Sequence, residues 1–180
     1  MNQIRRPSGW KPLTAFDYGL TRKLNRMLTR RGVQPFFSAI SSLGDGKFWY
    51  ALMFISPIAL GETGLRATGH MAVVGAVNLV LYRSIKLSTR RPRPCNAFEE
   101  IFSGTAPLDE YSFPSGHTMH AVAFTFIALL WCPQLAVLLI PFTLLVALSR
   151  VILGLHYPTD VLMGAGIGIV VARISLLQFI

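Results

Sequence analysis

The sequence predicts an all-α protein, a polytopic membrane helix bundle of about five spans with an interfacial amphipathic helix at its N-terminus. Three observations lead there. Of 180 residues, 52% are hydrophobic and 14% charged, with a mean hydropathy of +0.50; this is too apolar for an ordinary soluble domain. Apolar stretches of near-span length recur along the chain, separated by segments rich in Gly, Pro and charge. The basic residues gather mainly in those separators. A chain of this length makes one domain, read as a basic segment, 1–34, followed by a transmembrane domain, 35–180.

In 13–31, Leu13, Phe16, Leu20, Leu24, Met27 and Leu28 recur at helical spacing, while Arg22, Lys23, Arg26 and Arg30 take the other face. Five basic residues in the last ten make this a poor span and a good interfacial helix. A soluble amphipathic helix packed on a core would show the same pattern. The segment has no uninterrupted apolar core of the kind a secretory signal needs. Gly32 and Pro35 punctuate the chain. The first span, 36–61, is interrupted by Gly44-Asp45-Gly46, and 69–90 is the second. A polar loop follows, rich in Pro, Gly and acidic residues. The third span begins at His117 and turns at Pro133; 134–154 is the fourth and 160–180 the fifth. Gly164 and Gly168 have the small-xxx-small spacing that lets helices approach closely. Each helix is short for a ~20-residue crossing, so its polar ends sit near the interface. Cys95 and Cys132 fall on opposite faces, ~30 Å apart, far beyond disulfide reach.

Formal net charge is +9, from 17 Lys and Arg against 8 Asp and Glu. Because the cations flank apolar segments, the expected partners are the bilayer and an anionic lipid or phosphate, not nucleic acid. The second span ends at Arg83–Arg93, the third begins at Ser115–His117 and the fourth ends at Ser149–Arg150, so all three clusters share one membrane face. Five spans place the N-terminus there too. That face carries 14 of the 17 basic residues: eight in 1–34, five in 83–93, and Arg150. The positive-inside rule would make it cytoplasmic.

Each cluster has a chemical reading and a plain one. In KLSTRRPRP, Lys86 and Arg93 suit phosphate oxygens, as an ammonium point charge and a guanidinium fork; they also suit the basic flank of a span. Ser115 and Gly116 open an apolar helix whose free N–H groups make an anion cradle; Ser115 is equally an N-cap. His117, in the first turn, is placed to act as an acid near a developing alkoxide or to sit as an interfacial polar residue. His120 lies one turn on. In SRVILGLHYPTD, Arg150 offers a further phosphate clamp. Asp160 stands four residues from His156, where a carboxylate would hold one ring nitrogen and leave the other as nucleophile. A snorkelling Arg and a capping Asp are the plain reading. His117, His120, His156 and Asp160 would also form a zinc or manganese shell, but the surrounding cations oppose a divalent ion and themselves supply the charge a phosphate needs.

These motifs resemble those of the type-2 phosphatidic acid phosphatase superfamily, membrane lipid phosphatases related to vanadium haloperoxidases. The tripartite signature K-x6-RP, PSGH and SR-x5-H-x3-D matches as Lys86 with Arg93-Pro94, then Pro114–His117, then Ser149-Arg150 with His156 and Asp160. The match covers residues 80–165 and departs at no signature position; SSLGDG also resembles the first-span segment of small bacterial members. The resemblance implies that His156 attacks phosphorus with Asp160 orienting it. It also implies that His117 protonates the leaving oxygen, while Lys86, Arg93, Ser115, Gly116 and Arg150 hold the phosphoryl oxygens. It implies no cofactor and no metal. Bacterial members of the undecaprenyl diphosphate type present the site outside, so the membrane side stays open.

The expectation is therefore a multi-pass protein of the cell's inner (plasma) membrane acting on a lipid phosphate. A polyprenyl diphosphate is the leading substrate; phosphatidylglycerophosphate, phosphatidate or a phosphorylated saccharolipid is the alternative. A catalytically idle lipid- or anion-binding membrane protein is the reading of a different class. The sequence carries no signal of oligomeric state.

Overall fold

The computed structural model describes residues 11–179; residues 1–10 of the basic segment and residue 180 of the fifth predicted span lie outside it. Its helices are α1 (Lys11–Asn25), α2 (Val33–Ser42), α3 (Phe48–Thr89), the short α4 (Pro94–Ala97), α5 (Gly116–Trp131), α6 (Ala136–Ile152) and α7 (Pro158–Phe179). The architecture is the all-α membrane bundle expected. Three helical stretches are long and apolar enough to cross a bilayer, Val33–Thr89, Pro133–Ile152 and Pro158–Gln178, and Gly116–Trp131 is a shorter apolar helix.

The first stretch makes two crossings. The chain reverses at Gly61 (φ 57°, ψ −129°), a backbone conformation open to glycine, and Thr68 Oγ1 donates to the Met53 carbonyl at 2.9 Å across the hairpin. Thus the segment between the first two predicted spans is a tight helical reversal instead of an open loop. The Gly44-Asp45-Gly46 interruption is a π-turn, Leu43–Lys47. It joins α2 to the first arm of α3 across a kink at Gly46 (φ 126°), while Asp45 lines the interior cavity.

The close contact of α5 with α7 positions everything at the polar end. A Cβ at Gly164 would lie 2.6 Å from the Ser115 carbonyl oxygen, and one at Gly168 would lie 2.5 Å from that of Met119. The equal offset of the two pairs means that the helices run parallel, so their N-termini share one face. α6 runs back beside α5, tied to it by the Thr125 and Thr143 hydroxyls at 2.6 Å. The core centres on Trp49, which is 1% exposed and tilts against Phe124 and Phe142 at centroid distances of 5.4 and 5.6 Å. At the other end, the buried His70 accepts from Trp131 Nε1 on Nδ1 and therefore carries its proton on Nε2, facing Ser175 Oγ at 2.7 Å. Phe54, Ile58, Val137, Leu162 and Leu177 point outward and give the bundle an apolar belt.

α1 lies across the ends of α6 and α7, and its inward face differs from the expectation. Asp17, Thr21 and Asn25, successive turns of one stripe, are at most 2% exposed, whereas Phe16 is 58% exposed. The reason is that α1 covers a polar end of the bundle. Asn25 Nδ2 donates to the Ile152 and Phe102 carbonyls at 2.9 Å each, and its Oδ1 accepts from the Phe102 N–H. Those buried backbone groups need partners that an apolar stripe could not offer. Of the predicted apolar face, Leu24, Met27 and Leu28 do pack inward, on Phe37, Ile152, Leu153 and Leu155.

The α5–α7 contact yields a matched test. Gly168→Val should destabilise the protein by about 1–3 kcal/mol through overpacking against the Met119 carbonyl. Gly166→Val, where a Cβ would meet nothing within 4 Å, should be neutral. Thermal unfolding of the two variants in one detergent measures the difference.

Candidate active site

Every signature residue is delivered by a helix end or a loop at the same face. Lys86 sits in the last turn of α3, Arg93 just before α4, Ser115 and Gly116 at the start of α5, His156 in the link from α6 to α7, and Asp160 in the first turn of α7. Arg150 sits in the last turn of α6. Lys86, Arg93, Gly116, His117 and His156 line one cavity. Residues separated by 70 positions in the sequence thus meet.

His156 is 1% exposed. Its Nδ1–H donates to the Ser112 carbonyl at 2.6 Å, and Arg93 Nη1 stands 3.2 Å from Nε2. Nε2 therefore carries the lone pair. Burial, and then the charges of Arg150, Arg93 and Lys86, hold the imidazole well below the usual histidine range, so it is neutral. Asp160 Oδ2 is 3.7 Å from Nδ1, within ionic reach but too far for a hydrogen bond. The tautomer is set by the Ser112 carbonyl, and Asp160 is bound elsewhere: Oδ2 accepts from the Tyr157 N–H at 2.8 Å and Oδ1 from Arg91 at 2.6 Å.

The cations have protein partners too. Lys86 Nζ donates to both Asp109 oxygens at 2.7 Å and to the Tyr111 carbonyl at 2.9 Å. Arg93 donates from Nη2 to Asp109 Oδ1 at 2.6 Å, from Nε to the Asp109 carbonyl at 2.9 Å and from Nη1 to the Leu155 carbonyl at 2.8 Å. The Arg150 side chain is 2% exposed; it donates to Ser41 Oγ, while its Nε has no partner among the described residues. Ser115 does not cap α5 with its side chain: its Oγ is 3.0 Å from Thr118 Oγ1, and its N–H donates to the Asp160 carbonyl. His117 Nε2 pairs with Asp45 Oδ1. His120 also borders the cavity, but its two nitrogens face the Gly116 and Gly75 carbonyls at 2.9 and 3.3 Å. Among the described residues, no three His, Cys, Asp or Glu side chains gather as a metal shell.

Four participants escape the sequence reading. Asp45 had a signal, a carboxylate between glycines inside an apolar run, which is costly unless partnered. Asp109 and the Ser112 carbonyl had none. The fourth is Arg91, which bridges Asp160 to Asp17 of α1 at 2.6 Å each and stacks 4.1 Å from the centre of the Tyr157 ring. Burial works against the Arg91 charge, but Asp160 and Asp17 more than offset it and raise the affinity for its proton. Buried among these groups, the Tyr157 hydroxyl is pushed above the usual phenol range.

The family model of the PAP2 superfamily matches residues 64–179. Over 123 residues the chain is 31% identical to the undecaprenyl-diphosphatase BcrC of Bacillus subtilis, which covers 68% of this chain and 63% of that protein's length. It is 33% identical over 154 residues to the decaprenylphosphoryl-5-phosphoribose phosphatase of Mycobacterium tuberculosis, covering 82% of this chain and 81% of the relative. The crystal structure of Aquifex aeolicus LpxE superposes with a TM-score of 0.76 at 28% identity, covering 89% of this chain and 94% of that one.

The Asp17–Arg91–Asp160 bridge is nearly enclosed, so removing one partner leaves buried charge uncompensated. Asp17→Ala should cost about 3 kcal/mol of stability, seen as a lowered unfolding midpoint in detergent. An exposed ion pair such as Arg66 with Glu62 should cost under about 1 kcal/mol when broken by Glu62→Ala.

Proposed function

The chain belongs to the PAP2 superfamily, and from that premise we propose that it is an integral membrane lipid phosphatase. Its substrate is a polyprenyl diphosphate of the undecaprenyl diphosphate type, whose terminal phosphate it removes through a phosphohistidine intermediate. One observation carries the reading. A cavity of about 910 Å³ joins Lys86, Arg93, His117 and His156 at one end to Trp49, Met53, Met71 and Phe124 at the other. A phosphate with an apolar tail fits both ends; a soluble phosphomonoester leaves the second end unfilled.

His156 Nε2 attacks phosphorus while the Ser112 carbonyl holds the Nδ1 proton in place. As the bond from phosphorus to the lipid-side oxygen breaks, His117 gives that oxygen a proton, steadied by its pairing with Asp45. Lys86, Arg93, Arg150, Ser115 and the N–H of Gly116 receive the charge spreading over the phosphoryl oxygens. Asp160, 3.7 Å from Nδ1, balances the positive charge that grows on the ring. Water then attacks phosphorus, loses its proton to His117, and releases inorganic phosphate and neutral His156. Protein cations supply the electrostatic work throughout, so no metal enters the mechanism. The protein acts in the inner (plasma) membrane.

A second reading is a phosphorylated saccharolipid substrate, supported by the likeness to the mycobacterial decaprenylphosphoryl-5-phosphoribose phosphatase. Phosphatidylglycerophosphate or phosphatidate is a further choice that the same cavity would accommodate. Against an idle anion-binding protein stands the neutral, oriented His156 beside a second histidine–aspartate pair, which anion capture does not require.

Purified protein in detergent with EDTA should release phosphate from polyprenyl diphosphate with a higher kcat/KM than from phosphatidate, a phosphorylated saccharolipid or a soluble phosphomonoester. His156→Ala should abolish release while remaining folded, and Asp160→Asn should retain part of it. Loss of activity on chelation, restored by zinc or manganese, would replace the mechanism with a metal-dependent one.

The depressed basicity of His156 has a sign that kinetics can read. Only the neutral ring attacks, and a lowered pKa keeps it neutral at more acidic pH. Single-turnover enzyme phosphorylation should therefore persist below pH ~6.5, where a free imidazole is half protonated. An acid limb centred at that free-histidine value would refute the buried, neutral nucleophile.

A further inference from the structure

The loop between α4 and α5 brings a carboxylate into the place where a phosphate is needed. Its ends are tied: the Gly104 N–H donates to the Leu153 carbonyl at 3.0 Å, and the Ser112 N–H donates to the Arg91 carbonyl at 2.8 Å. Gln34 and Ser38 of α2 both donate to the Gly104 carbonyl. Between these anchors, Leu108 is 69% exposed, and residues 108–111 form one wall of the cavity. The Asp109 carboxylate reaches inward from this arc and takes three charge-assisted hydrogen bonds from Lys86 and Arg93, of 2.6 to 2.7 Å. Two oxygens on one atom, gripped by an ammonium and a guanidinium fork, reproduce part of the contact set of a phosphoryl group. Lys86 and Arg93 are at most 5% exposed, whereas the Asp109 side chain is 38% exposed. The cations are thus fixed in the wall, and the carboxylate is the member with room to leave.

We propose that Asp109 is an internal stand-in for the substrate phosphate, a specificity-determining residue that must be displaced from Lys86 and Arg93 before the phosphoryl group can bind. The proposal rests on the phosphatase reading of the site. While the site is empty, Asp109 neutralises the two cations, which keeps them oriented and lowers their attraction for weakly charged anions. A phosphoryl dianion or a diphosphate carries more charge and more oxygens than a carboxylate and wins the exchange; a carboxylated lipid or a phosphodiester does not. Burial raises the Asp109 carboxyl, but Lys86 and Arg93 more than reverse this and hold it below the usual carboxylate range. The competitor is therefore charged wherever the enzyme works. Discrimination follows from competition between anions for one pair of cations.

The experiment compares wild type with Asp109→Asn, Asp109→Glu and Glu110→Gln. It measures vanadate and inorganic phosphate inhibition together with kcat and KM on polyprenyl diphosphate. Asp109→Asn should bind both inorganic anions about tenfold more tightly, with a lower KM, sharper product inhibition by phosphate and kcat within about twofold. Its advantage over wild type should be largest for phosphodiester and carboxylate inhibitors. Asp109→Glu, which keeps the competing charge, should stay close to wild type. Glu110→Gln removes the same charge from the neighbouring residue and should change anion affinity far less. If Asp109→Asn binds vanadate no better or more weakly, Asp109 merely braces the cations and the proposal falls while the phosphatase reading stands. If Glu110→Gln tightens binding equally, the effect is general charge and the exchange is refuted. A wild-type protein that neither binds vanadate nor turns over any lipid phosphate overturns the phosphatase reading and this proposal together.

Discussion

Holding cations inside protein at the end of a membrane bundle is expensive, because each has left water. Arginine and lysine side chains here are kept by aspartates arriving from separate elements. Asp109 comes from a loop to Lys86 and Arg93, while Asp17 of α1 and Asp160 of α7 converge on Arg91. Asp45, in the π-turn before α3, is paired with His117. The rest of the polar end follows from this need for counter-charge. α1 turns its polar stripe inward because Asp17 must meet Arg91, and the π-turn survives within an apolar rod because it delivers Asp45.

The apolar part of the bundle makes that arrangement precise enough to be useful. α5 and α7 touch through Gly164 and Gly168 against backbone carbonyls, so neither helix can slide or rotate without a clash. Their shared register brings the Ser115 N–H to the Asp160 carbonyl at 3.0 Å. This contact links the start of α5 to the residue beside His156. Trp49, locked between Phe124 and Phe142, carries the same rigidity across to the arm that holds Asp45. Core packing and site geometry are therefore parts of one structure, with the glycines on α7 as important to it as the charged residues.

What the sequence revealed, and what it did not, divides along a physical line. Hydropathy periodicity marks the crossings because burial in lipid acts on each helix separately; the hairpin at Gly61 appeared only as a gap between spans. That Lys86, Arg93, Ser115, His156 and Asp160 gather at one face was legible because the ends of the predicted spans put their clusters there. The partners were not. Asp109 lies 23 positions from Lys86, and Asp17 lies 74 from Arg91, so only the folded chain joins them. For α1, helical periodicity gave the helix but misjudged which side faces in. An amphipathic pattern assumes that the neighbour is apolar, and here the neighbours are Arg91, the start of α7 and the Phe102 and Ile152 carbonyls.

The spacing of His156 and Asp160 suggested a carboxylate holding the nucleophile, yet the nearest acceptor is a backbone carbonyl, 2.6 Å from Nδ1. This difference matters for the chemistry. A carboxylate in direct contact would draw a proton onto the ring and favour imidazolium before substrate arrives. A carbonyl fixes the same tautomer without adding charge, so burial and the neighbouring cations keep His156 neutral. Asp160 remains close enough, at 3.7 Å, to feel a positive ring when one forms. Until then Arg91 and the Tyr157 N–H occupy its oxygens. In the proposed reaction, orientation and charge stabilisation, which one carboxylate performs in a hydrolase triad, are separated between Ser112 and Asp160. That separation lets a histidine be both well aimed and unprotonated amid several cations.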